Sequence, residues 1–139
     1  TTAGATDLVA DSDADDGVGT LTLAASVTLD TTDSALTITA EDLDLSGTGI
    51  DSGTASTTIT DSDGNGIGLG DTASTNGLDI STAELQKITA TGLELVSGGN
   101  IDVDNVLAAN TANVSGTLTL GSVQFSVYTV GWFCAFRCL

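Results

Sequence analysis

The chain has 139 residues, with 19 acidic side chains against 2 basic ones and no histidine, for a formal net charge of −17. A length of this order fits one domain, and 40% hydrophobic residues are too many for a disordered acidic tail. The missing histidine excludes an imidazole base, an imidazole metal ligand and a Ser-His-Asp triad, and Lys87 with Arg137 are too few cations for nucleic-acid binding.

The kinds of residue point to strands and corners. Glu41, Glu84 and Glu94 are the glutamates, and the remaining acids are aspartates, whose short carboxylates bond nearby backbone N–H groups in turns. With 17 glycines and abundant Ser, Thr and Asn between stretches of Thr, Val, Ile and Leu, the chain reads as all-β with many turns.

Taken in chain order, residues 1–16 are an acidic N-terminal segment. It opens on Thr1-Thr2-Ala3-Gly4, with neither a methionine nor a signal-peptide pattern, which suggests a piece of a longer chain. Residues 17–125 form a repeat domain. Gly19-Thr20-Leu21-Thr22-Leu23 recurs unchanged as Gly116-Thr117-Leu118-Thr119-Leu120, with looser copies between them at Leu36-Thr37-Ile38, Leu43-Asp44-Leu45, Ile67-Gly68-Leu69, Leu78-Asp79-Ile80, Leu93-Glu94-Leu95 and Ile101-Asp102-Val103. Each is a short alternating strand between turn residues. Their inward positions are aliphatic, and no aromatic residue precedes Phe125. Such strands lack the length and aromatic anchors of a sandwich. They suit stacked coils of roughly 20–30 residues, pairing at about 4.8 Å, so a parallel β-helix (β-solenoid) is expected.

Ser81 to Ile88 departs from the strand pattern. Ser81 and Glu84 have capping-box spacing, and Leu85 and Ile88 stand three apart, which predicts a short helical turn at a corner. Lys87 is expected in a surface ion pair. Residues 126–139 form an atypical tail holding Tyr128, Trp132, Phe133, Phe136, Cys134, Cys138 and Arg137. The C-x3-C spacing, with no further thiol or imidazole, does not supply a zinc site. The tail is too short for a spanning helix of about 20 apolar residues, although it is the one stretch through which membrane contact is conceivable.

The wording of residues 77–120, from Gly77-Leu78-Asp79-Ile80-Ser81-Thr82-Ala83-Glu84-Leu85-Gln86-Lys87-Ile88 through Ala108-Ala109-Asn110-Thr111-Ala112-Asn113-Val114-Ser115-Gly116-Thr117-Leu118-Thr119-Leu120, resembles large bacterial β-strand-repeat surface exoproteins of the filamentous haemagglutinin type. That resemblance implies a secreted, cell-surface, right-handed β-helix working as an adhesin or scaffold. It brings no catalytic residues with it, and the aromatic tail departs from its pattern.

Three constellations could carry chemistry. Asp61-Ser62-Asp63-Gly64-Asn65-Gly66 matches the start of a calcium loop, although Thr72 stands at the bidentate twelfth position and Asp71 one place early. A calcium site at Asp61, Asp63, Asn65 and Asp71 is the metal alternative to a solvated turn, and Asp11 to Gly17 is a rougher copy. The pairs Thr20/Thr22, Thr37/Thr39, Thr58/Thr60 and Thr117/Thr119 would point outward and, stacked on one flat face, could bind ice. Asp42 with Asp44 and Asp102 with Asp104 are the candidates for a carbohydrate-active enzyme, but two-residue spacing turns both members to solvent with no cation beside them. The expected function is therefore a non-catalytic structural or adhesive module. Its partner would be a host or neighbouring-cell surface ligand, end-to-end self-association is compatible with it, and no cofactor is expected apart from the calcium alternative.

Overall fold

A computed structural model describes residues 4–12, 17–71, 77–122, 124–130 and 136–138, the chain from residue 125 on by its backbone alone. Alternation produces strands wherever it runs for three residues or more. In chain order these are β1 (Thr6–Val9), β2 (Thr20–Thr22), β3 (Thr28–Asp30), β4 (Leu36–Ala40), β5 (Asp42–Asp44), β6 (Gly49–Asp51), β7 (Ser56–Asp61) and β8 (Ile67–Gly70). They continue as β9 (Leu78–Ser81), the helical turn α1 (Thr82–Leu85), β10 (Ile88–Thr89), β11 (Gly92–Val96), β12 (Asn100–Val106), β13 (Leu118–Gly121), β14 (Gln124–Val130) and β15 (Phe136–Cys138). The protein is all-β apart from α1, and every ladder among the described residues is parallel.

The largest sheet has the order β1-β4-β7-β11-β13-β15, so its strands neighbour one another in the order in which the chain makes them. Three smaller sheets, β2-β5, β10-β6-β3 and β14-β12-β8-β9, take the strands that lie between. Register puts like on like. Leu8, Ile38, Ile59, Leu95 and Leu120 form one cross-strand row, and the last four are buried. Leu29, Ile50 and Ile88 form a second row, and Leu78, Ile67 and Ile101 a third. These rows meet in one core cluster. Each fully buried Leu or Ile contributes roughly 1.5–3 kcal/mol of transfer free energy, which makes the rows the main stabilising term.

Aspartates finish the strands. Asp30, Asp44 and Asp51 end β3, β5 and β6, and each accepts the N–H two residues on, from Thr32 (2.7 Å), Ser46 (3.1 Å) and Gly53 (2.8 Å). This is the Asx turn that the aspartate excess predicts. Gly49 meets a sharper demand: its φ is 127°, and a Cβ there would lie 2.1 Å from the Lys87 carbonyl oxygen.

The stacking is not uniform. Equivalent positions of the large sheet are 21 residues apart from Thr37 to Thr58 and 25 apart from Glu94 to Thr119, but 36 apart from Thr58 to Glu94. The surplus contains β8, which the chain lays down before β9 although β9 lies between it and β5. No ladder joins β5 to β9 among the described residues; the Asp79 N–H reaches the Asp42 carboxylate instead, at 3.2 Å. The 15-residue spacing from Gly77 to Gly92 is also not a stacking period, because Leu78 lies in β9 and Leu93 in β11, in different sheets.

The helical turn forms as predicted. Ser81 Oγ accepts the Glu84 N–H at 3.2 Å, and Glu84 Oε2 accepts the Ser81 N–H at 3.0 Å, a complete capping box. Lys87 differs from expectation: its ammonium donates to the Leu45 carbonyl at 2.5 Å, while Glu84 Oε1 accepts the Leu45 N–H at 3.2 Å. Leu45, buried and just past β5, lies in no ladder among the described residues, and its peptide N–H and carbonyl are satisfied by these two side chains.

The expected segment boundaries meet these elements at both ends. β1 falls within residues 1–16 and pairs with β4, while β14 runs across residue 125 and pairs with β12.

Candidate functional site

The outward side of the largest sheet carries the polar half of the alternation. Across it runs the row Asp7, Thr37, Thr58, Glu94 and Thr119, which the backbone register continues to Arg137 of β15, and beside that the row Val9, Thr39, Thr60, Val96 and Gly121. The four threonines of β4 and β7 thus form one in-register block, Thr37 beside Thr58 and Thr39 beside Thr60. The array stops at β11, where Glu94 and Val96 occupy the equivalent positions. Thr20 and Thr22 lie in a different sheet, opposite Asp42 and Asp44. The predicted threonine pairs are therefore divided between two sheets, and only two pairs are adjacent.

A groove of about 530 Å³ opens on this face across the N-terminal halves of β7, β11 and β13, with Ser56, Thr58, Gly92, Glu94, Thr117 and Thr119 among its lining residues. Gly92 stands opposite Ser56 and puts no side chain into the groove. Glu94 is half-buried and flanked in register by Thr58 on one side and Thr119 on the other. Among the described residues its carboxylate makes no hydrogen bond or ion pair. Sequence reading passed over this site, although its signal was present: a glycine opens the alternating run Gly92-Leu93-Glu94-Leu95, where Ser and Thr open the neighbouring ones.

The four residues of the calcium alternative are spread along the chain's path. Asp61 ends β7 and is buried; its Oδ2 accepts the Gly66 N–H at 2.9 Å and the Ser97 hydroxyl at 2.7 Å, while Oδ1 is buried with no protein partner. Asp63 is half-exposed and Asn65 exposed in the same turn. Asp71 follows β8, about 13 Å of strand further on at the usual rise, and accepts from Asn105 Nδ2 at 2.6 Å and Thr82 Oγ1 at 3.4 Å. The turn brings Asp61, Asp63 and Asn65 together, but not Asp71. Among the described residues no three acidic side chains converge as a cation site would require. The rougher copy at Asp11 to Gly17 lies in part outside the described residues, as do Thr72 and Cys134.

Three of the four paired aspartates accept hydrogen bonds. Asp42 takes the Asp79 N–H, Asp44 Oδ1 takes the Ser46 N–H and hydroxyl, and Asp102 takes Asn100 Nδ2 at 2.6 Å. At Asp33 the Thr54 N–H (2.8 Å) and hydroxyl (3.1 Å) stabilise the charged carboxylate and hold it below the usual carboxylate value.

The chain matches no protein-family model, no curated protein and no solved structure. The resemblance to bacterial surface exoproteins therefore rests on the quoted residues alone. Among the described residues no helix is long and apolar enough to cross a membrane.

Proposed function

We propose that this chain is a stretch of right-handed parallel β-helix serving as a non-catalytic structural and adhesive module of a secreted bacterial surface protein. The observation that carries this reading is the largest sheet, whose neighbours succeed one another in chain order and in parallel while the intervening strands supply the other sheets. A chain winding about one axis has that order, and parallel crossovers are overwhelmingly right-handed. On this reading the aliphatic rows are the axis of a stiff rod. The rod's strand faces display hydroxyls and carboxylates, and a net charge of −17 keeps anionic surfaces at a distance. Adhesion then comes from a rigid scaffold that presents many weak contacts at once.

The alternatives draw on less. An ice-binding face would use the Thr37, Thr39, Thr58 and Thr60 block, which spans two strands before Glu94 and Val96 interrupt it. A calcium site would draw on Asp61, Asp63, Asn65 and Asp71, of which Asp71 lies beyond β8 and accepts from Asn105 and Thr82.

The test is retention. Beads coated with the chain are passed over bacterial and host-cell layers, and the same protein is incubated with a panel of polysaccharides. Retention above that of beads carrying an equally acidic unrelated protein is expected, with no new reducing ends. Polysaccharide cleavage, or retention no greater than the acidic control, would overturn the proposal.

A further inference from the structure

We propose that the groove at Gly92 binds an amine-bearing sugar, with the ammonium group on Glu94 and the sugar hydroxyls among those of Ser56, Thr58, Thr117 and Thr119. This deepens the adhesive reading, on which it rests, by naming the chemistry of one contact.

The first argument is the glycine itself. Glycine in a strand weakens it and is kept where a turn, a bulge or a close backbone approach requires it, or where a ligand comes near. At Gly92 the first reasons are missing. Its φ lies outside the left-handed region, and a Cβ there would stand 3.7 Å from the Thr117 carbonyl oxygen and 4.0 Å from Ser56 Cβ, both ordinary contacts. Gly77 is unlike it, since a Cβ there would meet the Gly66 carbonyl oxygen at 2.1 Å. What the glycine at 92 provides is open space on the outward face.

The second argument is Glu94. The aspartates that end strands β3, β5, β6 and β7 are engaged by backbone N–H groups, at Asp30, Asp44, Asp51 and Asp61. Among the described residues Glu94 has no such task, and it is only partly exposed, so a cation that reached it would lose less to solvent screening than at a fully exposed acid.

The third argument is complementarity. Among the described side chains none that lines the groove is cationic, and Arg137, the next position of the row beyond Thr119, is one cation against a net charge of −17, a field that disfavours uronic, sialic, sulfated or phosphorylated ligands. An ammonium group brings three donors and no acceptor, and Glu94 with the Thr58 and Thr119 hydroxyls offers acceptors for them. A lysine side chain would bring a long apolar stem to a site walled by hydroxyls, whereas an amino sugar carries hydroxyls beside its amine. The volume falls within the usual range for small-ligand sites.

The test is an NMR titration of the isotope-labelled full chain with glucosamine oligomers, their N-acetylated counterparts and tri-lysine. The amides of Thr58, Glu94 and Thr119 should shift with the free-amine oligomer and not with the acetylated one. Glu94→Gln should weaken binding at least tenfold, and Gly92→Thr should abolish it by filling the groove. Asp104→Asn, which removes the same charge from the outward side of β12, should leave binding unchanged. Gly92→Ala should weaken binding and decides the matter if the threonine variant does not give a folded spectrum. Equal loss in Glu94→Gln and Asp104→Asn would mean attraction to bulk charge and overturn the site, as would equal binding of acetylated oligomers or displacement by an equal concentration of tri-lysine. Bead retention that persists without sugar binding would leave the adhesive module standing and remove this site alone.

Discussion

Gly-Thr-Leu-Thr-Leu occurs at residues 19–23 and again at 116–120, and the same five side chains end in different surroundings. In the first copy β2 pairs, among the described residues, with β5 alone; Thr20 and Thr22 are exposed and Leu21 is only half-buried. In the second, β13 lies between β11 and β15, and Leu118 and Leu120 are each 2% exposed. Local alternation makes both into strands, since it lets either find a partner for its backbone and one face for its leucines. How much each leucine is worth depends on neighbours the pentapeptide does not contain.

The largest effect that could sharpen this comparison is at the leucines. Leu118→Ala should cost about 3 kcal/mol, the usual range for a buried leucine whose site does not collapse. Leu21→Ala, with water already on one side, should cost about 1 kcal/mol. Urea unfolding of both variants measures the difference, and equal midpoints would break the comparison.

The carboxylates repeat the contrast more gently. Asp61 sits inside, between the end of β7 and Ser97, and removing it leaves the Gly66 N–H and the Ser97 hydroxyl without their acceptor. Asp61→Ala should cost about 2 kcal/mol, the usual penalty for stranding buried polar groups. Asp33 carries a comparable pair of bonds from Thr54 but is exposed, so Asp33→Ala should shift the unfolding midpoint far less.

The smallest effect is in pH. The folded Asp33 carboxyl lies below its ordinary value of 3.8, so its contribution is present above that value and fades as pH falls through the lower, folded one. Titration of the Asp33 carboxyl carbon by NMR checks this, and a midpoint at or above 3.8 would remove it.

Much of the architecture was legible because it is written in nearest neighbours. Alternation marked the strands, Asp30, Asp44 and Asp51 announced their own turns, and the Ser81/Glu84 spacing announced the helical turn. Each of those interactions closes within a few residues, so the residues alone suffice to see it. The early placement of β8, and the capture of the Leu45 peptide by Glu84 and Lys87, were not legible. Both depend on which strand lies beside which, and an apolar-polar-apolar triplet reads alike wherever it is stacked. The candidate groove was half-legible: Gly92 and Glu94 stood in plain view, but nothing in the string put Thr58 and Thr119 on either side.

The residues by themselves determined that this protein is built of short strands with aliphatic interiors, aspartate-closed corners and an acidic surface, because those properties follow from period-2 burial and side-chain reach within a turn. Only the tertiary structure decided the order of strands in each sheet, the division of the threonine pairs between two sheets and the depth of the trough at Gly92. Those depend on ladders between residues some 11 to 38 apart, where register is chosen by the summed fit of whole rows against one another.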